Sequence, residues 1–261
     1  MDKDGDFVNS LARGFRILTC FTASEEELGN GVIARRSGLA PATVARLTHT
    51  LTELGYLRSV PLRRTYALTP KVLAIAHPLL AALPERALLR PHIHQLTAES
   101  GGSVCVAVAD RLNVVYVEVS RGINAEQLPD IGTQRHLFEC SSGRALFASS
   151  KAAARDALLH QMCLAEPERS EHLRDSARSA VEQYERYGMC HMVSLLVPEW
   201  SGVAMPLTGF HGRQIAISIG MRTKSILPAD LISQVGSQLA TTVSHIKDSI
   251  HAAALRADHV I

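Results

Sequence analysis

Ala42, Thr43, Arg46, His49, Thr50 and Glu53 recur at intervals that place them on one side of an α-helix. Threonine, histidine and arginine carry donors that reach base edges, arginine in bidentate fashion to guanine, and alanine offers a methyl to thymine. Side chains that are small at the helix start and polar along its front suit entry into a major groove. Arg63 and Arg64 stand at the tip of a hairpin pattern, where cations hold phosphates or touch a minor groove. Arg13, Arg16 and Arg35 add further backbone-reaching cations, although Arg35 and Arg36 also fit a plain solvated face. From position 28 to 78 seven basic residues stand against Glu53 alone, while the whole chain carries a net charge of only +2. A compact basic segment on a near-neutral remainder is the footprint of a nucleic-acid module attached to another domain.

A second chemistry lies in Cys140-Ser141-Ser142-Gly143-Arg144-Ala145-Leu146-Phe147, which reads as a helix start with Ser141 or Ser142 as cap. Free N–H groups and the positive end of a helix dipole suit a carboxylate, with Arg135 or Arg144 as a complementary charge. An ordinary capped helix that binds nothing has the same pattern. Twelve histidines and five cysteines raise a metal or redox alternative in the C-terminal half. His136 with Cys140, and Cys190 with His191, are the pairs that would make a soft nitrogen–sulfur site. No C-x-x-C occurs, and His92 and His94 point apart on a helix. Phosphate-loop, dinucleotide, zinc-protease and nucleophile-elbow motifs are all missing, so neither catalysis nor a cofactor is expected.

The elements that must carry these residues follow from periodicity. Ser10 to Phe21 is helical, with Leu11, Phe15 and Leu18 on one face. After a polar stretch from Thr22 to Asn30, a short helix from Gly31 to Ser37 stops at Gly38, where a positive φ ends it. The next helix opens at Ala40-Pro41 and runs to Leu54, its back formed by Val44, Leu47, Leu51 and Leu54. Ala34, Gly38 and Val44 have the spacing of a helix-turn-helix. Residues 56–60 and 64–68 alternate as two strands around Pro61-Leu62-Arg63, which is a winged hairpin.

Pro78 to Leu89, apolar and broken by Pro84, fits a linker helix, and Arg90 to Ser100 a further helix. Strands are expected at 104–109, 114–119, 203–207 and 214–220, and helices at 142–149, 151–160, 173–187 and 228–251. The whole is α+β: a winged helix-turn-helix over 1–77, a linker over 78–89, and a second domain over 90–261 with an antiparallel sheet.

The 261 residues are 46% hydrophobic and 20% charged, enough apolar material for packed cores and unlike a disordered or fibrous chain. The longest uncharged apolar stretch, 72–84, is too short to span a bilayer and holds His77 and two prolines. The acidic MDKDGD start is unlike an export signal, and scattered, odd-numbered cysteines suit a reducing cytoplasm.

SLARGFRILTCF, VIARRSGLAPATVARLTHTLTELGYL and YALTPKVLAIAHPLL resemble the N-terminal domain of IclR-type bacterial transcriptional regulators. The SLARGF opening and the LTPKVL stretch are most similar to the branch controlling aromatic-acid catabolism through the β-ketoadipate pathway. VVYVEVSRG, IGTQRHLFECSSGRALFAS, ERYGMC, GVAMPL and IAISIG extend the resemblance over nearly the whole chain. It implies a dimeric or tetrameric repressor or activator that binds operator DNA, with a GAF/PAS-like effector domain taking a small organic acid, aromatic acids among them. Carried over by position, it nominates Glu139, Ser141, Phe147, His191, Ser201, Ser218 and Gly220 as pocket lining. His136, Glu139 and Cys140 make this wall more polar than is usual for the family, and Gly220 stands where a hydroxyl residue often appears.

Overall fold

The computed structural model describes residues 7–22, 24–122, 129–193, 200–222 and 230–257, and the chain divides into units 1–82 and 83–261. In the first unit α1 (Asn9–Leu18), α2 (Asn30–Ser37) and α3 (Pro41–Glu53) surround Ile17, Leu28, Ile33, Val44, Leu51 and Leu57. Gly38 ends α2 at φ +67°, its N–H bonded to the Ala34 carbonyl at 2.9 Å, which turns the chain sharply into α3. Pro41 sits at the first turn of α3, where its missing N–H costs no hydrogen bond.

Strands β2 (Leu57–Val60) and β3 (Thr65–Leu68) form the expected hairpin. A third strand, β1 (Glu27–Gly29), pairs with the other edge of β3. Periodicity does not reveal it, because three residues are too few to show alternation. Leu54, expected on the buried back of α3, is 52% exposed; Thr48 is fully buried instead. Thr48 tolerates burial because its hydroxyl donates to the Val44 carbonyl at 2.9 Å and reaches Asn30 Oδ1 at 3.3 Å.

The segment 78–89 is helical on both sides of a break. Its start closes α4 (Lys71–Ala81), and after Leu83-Pro84 its end opens α5 (Glu85–Ser100). Among the described residues no single helix is long and apolar enough to cross a membrane.

The second unit is built on one antiparallel sheet in the order β6-β5-β4-β9-β8-β7. Its strands are β4 (Ser103–Asp110), β5 (Asn113–Ser120), β6 (Gln134–His136), β7 (Cys190–Val193), β8 (Trp200–Thr208) and β9 (Gln214–Arg222). The short edge strands β6 and β7 escape sequence patterning, as β1 does. On one face lie α6 (Ser141–Ser149), α7 (Ala152–Ala165) and α8 (Ser170–Tyr187), whose Ala145, Leu146, Met162, Leu173 and Ala177 pack with Cys105, Ala107, Tyr116, Cys190, Ala204 and Ala216. The alternate side chains, including Val104, Val203, Ile217 and Ile219, are buried toward α5 and α9 (Ser237–Ala257). A π-helical turn, Leu231–Gly236, leads into α9; Pro228 and Ala229, included in the expected helix, lie outside the described residues. Glu118 is buried on β5 and accepts from both Arg86 Nε (3.1 Å) and Nη2 (2.8 Å), which fastens α5 to the sheet.

Candidate nucleic-acid interface and effector site

Burying Val44, Thr48 and Leu51 leaves the opposite side of α3 to solvent. Ala42, Arg46, His49, Thr50 and Glu53 are exposed there, and Thr43 is half-buried. The Thr50 hydroxyl donates to the Arg46 carbonyl at 3.0 Å and so is spent on its own helix. Thr43, Arg46 and Thr50 share a groove with Ser10, Arg13 and Phe15 of α1, so Arg13 joins this front.

The basic residues divide into tethered and presented ones. Arg16 donates to the Ser37 carbonyl at 3.4 Å, and Arg36 to the Cys20 carbonyl at 2.9 Å and to Glu25. Lys71 donates to the Leu54 carbonyl at 2.8 Å, closing the C-terminus of α3, and lies over the Tyr56 ring. Arg16 thus tethers α1 to the end of α2 while its side chain stays exposed. Arg35 and Arg64 are exposed, and no partner for either side chain is found among the described residues. Arg63 pairs with Glu27 at 3.2 Å while its side chain stays 72% exposed, a weak surface contact that a phosphate can displace.

In the second unit the helix start at α6 has an unexpected cap. Neither serine caps it: Cys140 is the N-cap, and its sulfur accepts from the Gly143 N–H at 3.4 Å. Sulfur is a weak acceptor, so the first turn is loosely satisfied. Gly143 is required, since a Cβ there would meet the Leu137 backbone oxygen at 2.2 Å. Ser142 is fully buried; among the described residues its Oγ makes no well-formed hydrogen bond, and it lies beside the buried Tyr116 hydroxyl, which interacts with both it and the Cys140 thiol. Burial pushes the Tyr116 phenol and the Cys140 thiol upward, so both stay neutral. Arg135, half-buried on β6, acts electrostatically on Cys140. Arg144 donates to Ser179 Oγ at 2.8 Å, its Nε is buried and unpartnered, and no carboxylate pairs with it among the described residues. Burial pulls the Arg144 guanidinium below its ordinary value.

The nominated lining residues separate. Ser218 faces Cys105 and Ala204 in register and Gly220 faces Gly202, on the side covered by α6. Ser141 approaches the same floor at Gly202. Ser201 pairs with Met221, and His191 with Val203, so strand alternation turns both toward the other face. Phe147 is core, edge-on to Phe138 with ring centroids 4.9 Å apart, and Glu139, half-buried, ends the 3₁₀ turn that buries Leu137 and Phe138. Ser142 was singled out only as an alternative cap, and Tyr116 and Gly202 were not nominated; only the alternation of β5 and the smallness of Gly202 carried any signal for them.

Among the described residues no group of three or more His, Cys, Asp or Glu side chains is placed to hold an ion. His136 instead sits 3.5 Å from Glu166, and Cys190 donates to the Ala180 carbonyl at 3.3 Å. Burial raises the Cys190 thiol to about 12, opposite to a reactive sensor. Burial, and then Arg144, lowers His191.

Residues 10–61 match the IclR helix-turn-helix domain, and residues 78–248 match the bacterial transcriptional regulator IclR C-terminal domain. The chain is 31% identical over 250 residues to the HTH-type transcriptional regulator TsaQ1/TsaQ2 of Comamonas testosteroni, covering 94% of this chain and 90% of that one. It is 27% identical to the Pca regulon regulatory protein of Pseudomonas putida, over 82% of this chain and 74% of the relative. An IclR family transcriptional regulator from Brucella abortus superimposes with a TM-score of 0.78 at 32% identity, covering 96% and 95% of the two chains. An IclR homolog from Microbacterium hydrocarbonoxydans, complexed with 4-hydroxybenzoate, has the same fold at a TM-score of 0.70 and 19% identity, over 94% of this chain and all of that one.

Proposed function

The chain belongs to the IclR family of bacterial transcriptional regulators, and from that premise we propose which of its residues meet DNA and which meet the effector. The families it matches are regulators rather than enzymes: a helix-turn-helix domain binds DNA and a C-terminal domain binds a small molecule. Ala42, Thr43, Arg46 and His49 read base edges in the operator, with Arg63 and Arg64 on phosphates and Arg13 and Arg35 on the flanking backbone. The observation that carries this reading is the solvent-facing front of α3, held outward by the burial of Val44, Thr48 and Leu51.

The effector is a small organic acid held at the start of α6. Its carboxylate meets the first-turn amides and the buried hydroxyl of Ser142, with Tyr116 beside them and Arg135 and Arg144 supplying positive charge. Ser141, Ser218 and Gly220 share this side with Gly202. The 4-hydroxybenzoate bound by the Microbacterium homolog favours an aromatic acid.

The protein works in the cytoplasm as a dimer or tetramer. Phe7, Val8, Leu11 and Phe15 at α1, and Leu73, Ile75 and Leu79 on α4, are exposed apolar side chains suited to a second copy. Two copies set recognition helices roughly 34 Å apart, one turn of DNA. The effector then acts by binding one arrangement of the paired modules more tightly than the other.

Titrating the full-length chain with duplexes recovered by in vitro selection, at several salt concentrations and with and without 4-hydroxybenzoate, tests both halves. Affinity that falls steeply with salt supports the interface, and a shift on adding the acid supports the pocket. Salt-insensitive or undetectable duplex binding overturns the first. No calorimetric heat from any of a panel of aromatic and keto acids overturns the second.

A further inference from the structure

Among the described residues the most exposed large apolar side chain is Leu62, at 100%. A lone exposed leucine means nothing by itself. Leu62 is held, however, at the apex of the wing, between Pro61 on one side and Arg63 and Arg64 on the other.

The tip is stiff. Proline fixes φ at position 61, the Arg63 N–H bonds the Val60 carbonyl at 3.1 Å, and the Arg64 N–H bonds the Pro61 carbonyl at 3.2 Å. Arg64 completes the turn in the left-handed region at φ 53°, which a non-glycine residue adopts only under constraint. Strand β1 braces it from the side: Glu27 accepts from Thr65 Oγ1 at 2.8 Å and pairs with Arg63. With the backbone already fixed, Leu62 gives up only side-chain rotamer freedom when it is inserted into a partner.

We propose that Leu62 is an apolar wedge that enters the minor groove beside the site read by α3, unstacking a base step, while Arg63 and Arg64 hold the walls of that groove. Apolar side chains flanked by cations do this in architectural DNA-binding proteins, where insertion kinks the duplex. The step that yields most easily is a pyrimidine–purine step, and neighbouring A·T pairs narrow the groove and strengthen its pull on arginine. The partner is thus duplex DNA with a flexible step under the wing, read by deformability rather than by hydrogen bonds. The inference rests on the wing being a DNA contact, as proposed above.

Its test uses the full-length protein and a duplex from in vitro selection, carrying 2-aminopurine at the wing-proximal step and a dye at each end. Wild type raises the 2-aminopurine fluorescence and shortens the end-to-end distance. L62A, at a fully exposed position, abolishes both signals and weakens binding about tenfold, with an unchanged salt slope because no phosphate contact is removed. L62M restores them. R63A and R64A each lower the salt slope by about one. If L62A bends the duplex like wild type while the arginine variants lose slope, the wedge is overturned and the wing contact stands. If the arginine variants also behave like wild type, the wing contact falls with it.

Discussion

Ser141, at the start of α6, lies against the backbone of Gly202 on β8: a Cβ at position 202 would stand 2.9 Å from the Ser141 Oγ. The helix start and the sheet floor close on each other here only because residue 202 has no side chain. Gly202 also pairs with Gly220, so the floor beside α6 is open backbone.

Gly202→Val drives a side chain against Ser141 and lifts the start of α6 off the floor. The expected outcome is loss of the calorimetric response to 4-hydroxybenzoate, with salt-sensitive duplex affinity in the absence of acid retained, since the substitution removes no phosphate contact. An unchanged heat of acid binding would move the pocket away from α6.

Arg46→Ala removes the longest donor on the front of α3. Duplex affinity falls by about 1–3 kcal/mol and discrimination relaxes at one base pair, as for loss of a bidentate base contact. Competition between selected and single-mismatch duplexes measures it; a uniform loss on all sequences would reassign Arg46 to phosphate.

Glu118→Ala strands Arg86 beside the sheet, where its side chain is only 16% exposed. Removing one partner of a buried pair costs about 3 kcal/mol or more. A domain of this size loses roughly 6–12 °C of melting temperature for that. Arg90, more exposed and 3.3 Å from the same carboxylate, is the milder truncation.

Burial raises the Cys105 and Cys190 thiols to about 12. An acid whose pKa is raised in the folded state is stabilising below its unfolded value, and that contribution is lost as pH climbs through the folded one. Unfolding free energy should therefore drop between about pH 9 and pH 12, by about 1.4 kcal/mol per pH unit for each thiol. Cys190→Ala removes one thiol from that slope, which denaturant titrations at successive pH values read directly. An alkaline limb as steep as wild type would show that Cys190 titrates freely.

The helix-turn-helix was legible in the sequence because its determinants are local. A glycine that must take φ +67°, a proline at a helix start and a 3.6-residue repeat act within a few residues of each other. The front of α3 came with them, since the buried back fixes it. The hairpins and the long helices of the second unit were readable for the same reason.

What the chain alone did not decide depends on contacts far apart in sequence. β1 exists because β3 offers it an edge, and Thr48 can be buried because Asn30 waits opposite. Arg16, though exposed, has a partner only because the end of α2 comes beside it. At the proposed effector site, resemblance supplied the neighbourhood, but strand register sorted Ser218 and Gly220 from Ser201 and His191. A one-residue step along a strand reverses a side chain's face, and no composition or spacing records which face the helices cover.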